Sequence, residues 1–169
     1  GLTVTGVQTW ALPICLAATG APAEVVFESI SRLQLLAAHR VGPGGVHELN
    51  QQIEKQLALR GLLRSGDTWY PGRPVLVTRN DYNLRLFNGD VGVVLRDPDQ
   101  PERLKAVFAQ PEGGWRAISP GRLPEHETAY AMTVHKSPGA EFNCGIMVLP
   151  ERSSILASRA RTFLDITRS

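Results

Sequence analysis

The sequence predicts an α/β protein in which a small antiparallel β-barrel is inserted into an open sheet. Three observations lead to this fold class. Residues 21–59 have the order helix, strand, loop and helix, which is typical of open α/β sheets. Between Trp69 and Leu123, short alternating runs are separated by turn signals, as in small barrels. Buried strands return after Pro124, so the barrel is expected to interrupt one α/β domain.

Residues 1–15 are expected to lie outside the fold. Gly6–Ile14 resembles the translation of a common sequencing adapter, so this stretch is interpreted as a non-native leader. The other interpretation is an ordinary N-terminal strand. In both interpretations the leader contributes nothing to function.

The first part of the α/β domain is predicted to occupy residues 21–66. Apolar side chains recur at helical spacing in Ala21–Arg32 and again in Val46–Leu59, which predicts two amphipathic helices. Between them, Leu33–Ala38 is predicted to be a buried strand. A glycine-rich turn follows this strand and leads into the second helix.

The inserted barrel is predicted to occupy residues 67–123. Its candidate strands are Arg73–Thr78, Val91–Arg96, Leu104–Phe108 and Trp115–Ile118. The second part of the α/β domain follows in residues 124–169. There the pattern predicts strands at Thr128–Val134 and Cys144–Leu149 and a short helix at Leu156–Leu164.

Composition excludes several classes of protein. A chain of 169 residues with 43% apolar and 20% charged residues can bury a core, which argues against a disordered segment. The net charge of +2 is too small for a histone-like coat on nucleic acid. No apolar run approaches the roughly 20 residues of a membrane span. The two cysteines, Cys15 and Cys144, fit a reducing compartment such as the cytoplasm.

The residues that could hold a metal or a nucleotide phosphate are sparse. The four histidines show no ligand spacing, and no metal site is predicted. The three lysines are Lys55, Lys105 and Lys136, and none follows a glycine. A phosphate-binding loop of the Gly-x-x-x-x-Gly-Lys-Ser/Thr type is therefore absent from the sequence.

The segment Ala131–Phe142 has the highest concentration of candidate ligand-binding side chains. An apolar strand leads through Thr133 into a polar turn, and strand ends in α/β sheets are where ligands bind. The hydroxyls of Thr133 and Ser137 can donate to phosphate oxygens, and Glu141 can accept from a sugar hydroxyl. From these residues alone, a polar loop after a core strand is an equally good interpretation.

This segment resembles the motif Ala-Met-Thr-Val-His-Lys-Ser-Gln-Gly-Ser-Glu-Phe of superfamily 1 DNA helicases. More narrowly it is similar to the RecD-type family, the alpha subunits of exodeoxyribonuclease V. Further blocks of that family occur in the same order, namely Leu35–Arg40, Leu49–Asn50, Trp69–Tyr70, Gly72–Val75, Arg79–Asp81, Leu86–Gly92 and Arg122–Thr128. The match as a whole covers about residues 24–169.

The resemblance implies a C-terminal fragment: a truncated second RecA-like helicase domain with an inserted barrel of Src-homology type. The intact protein would use ATP with Mg²⁺ to unwind DNA in double-strand-break repair and recombination. Its partners would be single-stranded DNA and the two larger subunits of exodeoxyribonuclease V, with no membrane. The phosphate loop and the metal ligands would lie outside this chain, which alone is expected to be inactive.

The resemblance also implies roles for individual residues. Arg168 matches the catalytic arginine that reaches the γ-phosphate. The nucleotide-side residues are Gly139, Glu141 and Arg40. The DNA-binding residues are Thr133, His135, Lys136, Ser137 and Asn80.

Alternatives remain open at several levels. A structural ion pair is an equal interpretation for Arg40, and turn capping is the alternative for Asn80. Trp69 and Tyr70 either stack on bases or belong to the core. For the whole chain, the alternatives are a non-catalytic DNA-binding or protein-docking module and a related stand-alone or conjugative helicase.

The sequence departs from the family at two places. Pro138 stands where the family has Gln, which removes an amide side chain and a backbone N–H. Residues 158–169 diverge from the family's closing motif, although Arg168 stands at the position of that motif's arginine.

Overall fold

The computed structural model describes residues 4–32, 34–133 and 145–148 of the chain. The helices within these ranges are α1 (Val4–Ala18), α2 (Ala23–Ser31) and α3 (Val46–Leu59). The strands are β1 (Gln34–Ala37), β2 (Pro74–Val77), β3 (Val91–Arg96), β4 (Leu104–Ala109), β5 (Trp115–Ile118), β6 (His126–Thr128), β7 (Ala131–Thr133) and β8 (Gly145–Val148). The predicted helix Leu156–Leu164 lies outside the described residues.

A small parallel sheet forms the α/β part of the molecule. Its strand order is β7–β1–β8, and both neighbours run parallel to β1. Helix α3 has the predicted bounds and buries one apolar face, including Ile53 and Leu57, in the same core as Leu35 of β1. This α/β arrangement confirms the predicted order of helix, strand, loop and helix.

The second sheet is antiparallel, with the order β5–β4–β3–β2–β6. Strands β3 and β5 have the predicted bounds, because their alternating residues and flanking turns are unambiguous. The predicted barrel does not close among the described strands, since no pairing joins the edge strands β5 and β6. Strand β6 is only three residues long, because the chain leaves it at Thr128 for the parallel sheet.

The prediction of a single strand at Thr128–Val134 was therefore wrong. Thr128 is the last residue of β6 in the antiparallel sheet, and Ala131 is the first residue of β7 in the parallel sheet. The backbone N–H of Ala129 donates to the carbonyl of Pro74, which holds the chain against β2 before it turns away. The residues Thr128–Ala131, here called the crossover, are the return path between the two sheets.

The expectation that residues 1–15 lie outside the fold was also wrong. Residues from Val4 onward form α1, and Trp10 and Ile14 are buried in the core that holds β1 and α3. The alternative of an N-terminal strand fails as well, because the segment is helical despite Pro13. Its apolar side chains are spaced so that one side of a helix can be buried.

Gly72 shows how closely α1 approaches the rest of the molecule. A Cβ atom at this position would lie 2.6 Å from the Cα atom of Ile14. The backbone of Gly72 also has φ +86°, a value that side-chain-bearing residues rarely adopt. The glycine therefore serves both its own turn and the contact with α1.

Helix α2 attaches to the antiparallel sheet through Trp115 of β5. The Trp115 ring lies 4.8 Å from the ring of Phe27, and its Nε1 donates to the carboxylate of Glu24 at 2.7 Å. Val26 packs with Val93 in the same region. Trp115 thus joins the antiparallel sheet to α2.

We expect the substitution Trp10→Ala to lower the free energy of unfolding by about 3–5 kcal/mol, because it empties a core site. Leu12 lies on the exposed side of the same helix and provides the matched control. Leu12→Ala should change the free energy of unfolding by about 0.5 kcal/mol or less. Denaturant unfolding measures both values, and equal effects of the two substitutions would contradict the burial of α1.

Candidate functional site

The carboxyl ends of the parallel strands meet at one edge of the sheet. Ala37 of β1 lies opposite both Thr133 of β7 and Val148 of β8. The chain leaves β1 towards Arg40 at this edge. It leaves β7 there as well, at the start of the segment that carries the predicted motif. In open α/β sheets, loops at this edge bind ligands.

Six predicted site residues lie outside the described part of the chain. They are His135, Lys136, Ser137, Gly139, Glu141 and Arg168. The structure therefore locates the strand from which the motif starts, and the roles of these residues stay predictions. Three predicted residues, Arg40, Thr133 and Asn80, are described.

Thr133 closes β7 and is buried, with 8% of its surface exposed. Its Cα lies in register with Ala37, so its backbone belongs to the sheet. A phosphate contact by Thr133 stays a prediction.

Arg40 forms an ion pair with Glu127 of β6. Its Nη2 lies 2.6 Å from Oε2 of Glu127, whose side chain is only 12% exposed. The Arg40 side chain is itself half-exposed, so part of it faces solvent at the sheet edge. The structural ion pair weighed as the alternative is present, and a nucleotide contact stays a prediction.

The turn after Arg40 is tightly wound onto the start of α3. The carbonyls of His39 and Arg40 accept from the N–H groups of Val46 and His47, which satisfies the first donors of the helix. A Cβ at Gly45 would lie 3.0 Å from the Arg40 carbonyl. The turn therefore holds Arg40 close to the helix N-terminus.

Asn80 acts as a turn cap. Its Oδ1 accepts a hydrogen bond from the backbone N–H of Asn88 at 2.7 Å. This contact ties the two ends of one loop together, as the turn-capping alternative requires. A DNA contact by Asn80 stays a prediction.

Sequence reasoning missed the role of Asn50, which holds the crossover. Its Nδ2 donates to the carbonyls of Thr128, at 2.8 Å, and Ala131, at 3.3 Å. Its Oδ1 accepts from the N–H of Ala131 at 2.9 Å. Gln34 of β1 adds bonds from its Nε2 to the carbonyls of Ala129 and Tyr130. A polar residue on an apolar helix face was the signal that could have identified Asn50.

A buried polar network surrounds the same segment. Arg73 donates through Nε and Nη2 to Oγ1 of Thr128, at 3.1 and 3.0 Å. Thr128 in turn donates to Oε1 of Glu54, which also accepts from the hydroxyl of Tyr70 at 2.9 Å. The Tyr130 hydroxyl lies 3.0 Å from that of Tyr70 and completes the chain. These bonds connect α3, the segment just before β2 and the crossover.

Burial raises the pKa of both tyrosines of this network. Loss of hydration raises the pKa of Tyr70, and the neighbouring Tyr130 and Glu54 raise it further. Burial is also the main cause that raises the pKa of Tyr130. Because the hydroxyl of Tyr70 donates to Glu54, the Tyr130 hydroxyl donates to the oxygen of Tyr70.

Trp69 and Tyr70, just before β2, make contacts within the protein. Tyr70 is buried, so its ring is not available for stacking on a base. Trp69 is partly buried, with the Arg73 guanidinium 4.6 Å from its ring centroid and the His126 ring centroid 5.2 Å away. The core interpretation is confirmed for Tyr70. Trp69 makes its contacts with Arg73 and His126 of the same molecule.

A cleft of about 580 Å³ lies between α3 and the loop that follows it. Glu54 and Arg73 line its floor, and Nη1 of Arg73 is buried there without a hydrogen-bond partner. In the described ranges, no three histidine, cysteine or acidic residues come together to hold a metal ion. Within the same ranges, no helix has the length and apolar character needed to cross a membrane.

Comparison with known proteins identifies relatives with similar names. The chain is 40% identical over 136 residues to the RecBCD enzyme subunit RecD of Mycolicibacterium smegmatis, covering 80% of this chain and 23% of that protein. It is 37% identical over 149 residues to the Haemophilus influenzae RecBCD enzyme subunit RecD, covering 87% and 22%. It is 30% identical over 139 residues to the ATP-dependent RecD2 DNA helicase of Deinococcus radiodurans, covering 81% and 19%.

These alignments span most of this chain but only about a quarter of the length of the relatives. No family model matches the sequence. The relatives agree with one another in name, since all are RecD subunits or a RecD2 helicase.

We expect Asn50→Ala to lower the free energy of unfolding by about 2–4 kcal/mol. The substitution leaves the buried N–H and carbonyl of Ala131 without their partner, and each unsatisfied buried group costs about 1–3 kcal/mol. Gln52, exposed on the same helix, provides the control, and Gln52→Ala should cost about 0.5 kcal/mol or less. Urea unfolding of the two variants tests this, and a loss below 1 kcal/mol for Asn50→Ala would show that water replaces the side chain.

Proposed function

Because this chain belongs to the RecD family of DNA helicase proteins, we propose that it forms part of the ATP-driven motor of such a helicase. It is the second RecA-like domain, and it acts in DNA unwinding for double-strand-break repair and recombination. One observation carries the proposal. Strand β7, from which the motif starts, ends beside the carboxyl end of β1, where Arg40 follows.

The proposed division of labour at this edge follows from chemistry. Thr133, His135, Lys136 and Ser137 line the path of one DNA strand, where hydroxyl, imidazole and ammonium groups can donate to phosphates. Gly139 permits a tight turn, and Glu141 accepts from the nucleotide ribose. Arg40, held by Glu127, faces the nucleotide side with the exposed part of its guanidinium.

Arg168 is the proposed catalytic residue. A guanidinium that spreads charge over the γ-phosphate oxygens can contribute about 10³–10⁵ in rate. ATP and Mg²⁺ are the cofactors of the intact protein. The residues of this chain fit only one side of that site, since the sequence carries no phosphate-binding loop. The metal ligands are contributed by a domain outside this chain, so this chain alone does not hydrolyse ATP.

The antiparallel sheet is the proposed counterpart of the small barrel of Src-homology type, inserted into the RecA-like domain. Its strands β2 to β6 leave the α/β part after α3 and return to it through the crossover. This topology is what an insertion requires. In this proposal Asn80 belongs to the DNA-facing side of the insertion.

The proposed partners are single-stranded DNA and the two larger subunits of exodeoxyribonuclease V, acting in the cytoplasm. The similarity to a RecD2 DNA helicase keeps a stand-alone helicase as the second candidate. Copurification of the intact protein with two larger subunits distinguishes the two. A non-catalytic DNA-binding or docking module would differ from both in having no ATP hydrolysis.

The test is steady-state ATP hydrolysis by the full-length protein that contains this chain, with and without single-stranded DNA. We expect Arg168→Ala to lower the DNA-stimulated kcat by about 10³ or more. The control is Arg103→Ala, which removes an exposed arginine of the antiparallel sheet and should leave kcat unchanged.

Two outcomes would contradict the proposal. A full-length protein that hydrolyses no ATP in the presence of single-stranded DNA would support the non-catalytic module. Equal kcat values for Arg168→Ala and Arg103→Ala would remove Arg168 from the catalytic machinery.

A further inference from the structure

A loop of the antiparallel sheet presents two exposed aromatic rings. This loop, residues 79–90, connects β2 to β3 and is here called the aromatic loop. Tyr82 is 76% exposed and Phe87 is 43% exposed, and their ring centroids lie 5.8 Å apart in an edge-on arrangement. Aromatic rings left in water at this level of exposure need a reason, because burial of their apolar surface would be favourable.

Hydrogen bonds within the loop hold its backbone rigid. Asp81 and Leu86 exchange two backbone bonds, at 2.7 and 3.0 Å. The Asp81 carboxylate also accepts from the N–H of Leu84, and the Asp90 carboxylate accepts from the N–H of Phe87. The Leu86 side chain is buried in the core of the sheet. The two rings therefore stand on a backbone that is already ordered.

Further contacts anchor the loop to its surroundings. Asn80 accepts from the N–H of Asn88, and Arg116 of β5 donates to the carbonyl of Leu84. Arg85 has φ +50°, and it is the one non-glycine residue with positive φ among those the structure describes. Such strained backbone persists where the surrounding structure enforces it, and it is common at binding sites.

The aromatic loop carries exposed arginines beside its rings. The carboxylates of Asp81 and Asp90 each accept a hydrogen bond from a backbone N–H of the loop, from Leu84 and Phe87 respectively. Arg85 is exposed, and Arg79 carries only a weak surface pair with Glu125 at 3.4 Å, in which both side chains are 71% exposed. Exposed rings flanked by arginines are the combination that binds single-stranded nucleic acid without sequence preference.

We propose that Tyr82 and Phe87 form a stacking platform for the unpaired bases of single-stranded DNA. The identity of the polymer as DNA rests on the function proposed above. In this arrangement Asn80 positions the loop through the bond that it accepts from Asn88. The rings receive the base faces, and the exposed Arg79 and Arg85 of the same loop bind the adjoining phosphates.

The platform is tested with the full 169-residue chain and a fluorescent oligo(dT) of 20 nucleotides, in 50 mM salt where electrostatic binding is strong. We expect Tyr82→Ala and Phe87→Ala each to raise Kd about tenfold, the effect of losing one stacked base. Tyr82→Trp should keep the affinity, whereas Tyr82→Leu should lose it. Leu59→Ala, an exposed apolar change on α3, is the control and should not alter Kd.

An oligonucleotide of the same length without bases separates stacking from charge. It should bind the unaltered chain and Tyr82→Ala with equal Kd. Thermal unfolding should show each loop variant within about 2 °C of the unaltered chain, since the changed rings are exposed.

Several results would overturn the platform. They are equal Kd values for Tyr82→Leu and Tyr82→Trp, or no binding of oligo(dT) by the unaltered chain. If Tyr82→Ala instead lost copurification with larger subunits while its DNA affinity stayed unchanged, the rings would be a protein-docking surface. Each result leaves the ATPase test of the motor intact, so a failure of the platform is distinguishable from a failure of the proposed function.

Discussion

The hydrogen bonding of Asn50 to the crossover is the interaction on which the rest of the structure depends. One side chain provides the partners for both backbone groups of Ala131 and for the carbonyl of Thr128. These residues stand at the point where the chain leaves the antiparallel sheet and enters the parallel one. Because Asn50 lies on α3, the helix that covers β7 also determines where β7 begins.

The position of β7 in turn determines where the motif segment leaves the sheet. A shift of one residue in the pairing of β7 with β1 would reverse the faces of its side chains. The ion pair between Arg40 and Glu127 spans the same junction, from the end of β1 to β6. The part-buried bonds of Thr128 to Arg73 and Glu54 reinforce this junction.

Much of this architecture could be predicted from local sequence patterns. Helix α3 follows from its helical spacing, and β3 and β5 follow from short alternating runs between turn signals. The split between β6 and β7 could not be predicted, because neither of the two residues between them, Ala129 and Tyr130, is a glycine or a proline. The pairing of each piece with a different sheet depends on contacts distant in sequence.

The candidate site could be predicted only in part. Polar residues at a strand end made the segment after β7 a candidate, whereas its roles come from the resemblance to helicases and stay predictions. The burial of Trp10 and Ile14 could not be predicted, because it depends on contacts with β1 and α3, which are distant in sequence. The exposed pair Tyr82 and Phe87 was equally hidden, since aromatic residues near strands usually enter the core.

Native-state hydrogen exchange is the measurement that most directly tests whether the crossover joins the two sheets. The informative amides are those of Ala129, bonded to Pro74, Ala131, bonded to Asn50, and Val94, bonded to Arg73. If the crossover unites the sheets, all three should exchange only through global unfolding, with one free energy and one denaturant dependence. Exchange of Ala131 at a free energy several kcal/mol lower than that of Val94, and independent of denaturant, would show that the parallel sheet opens on its own and would contradict this account.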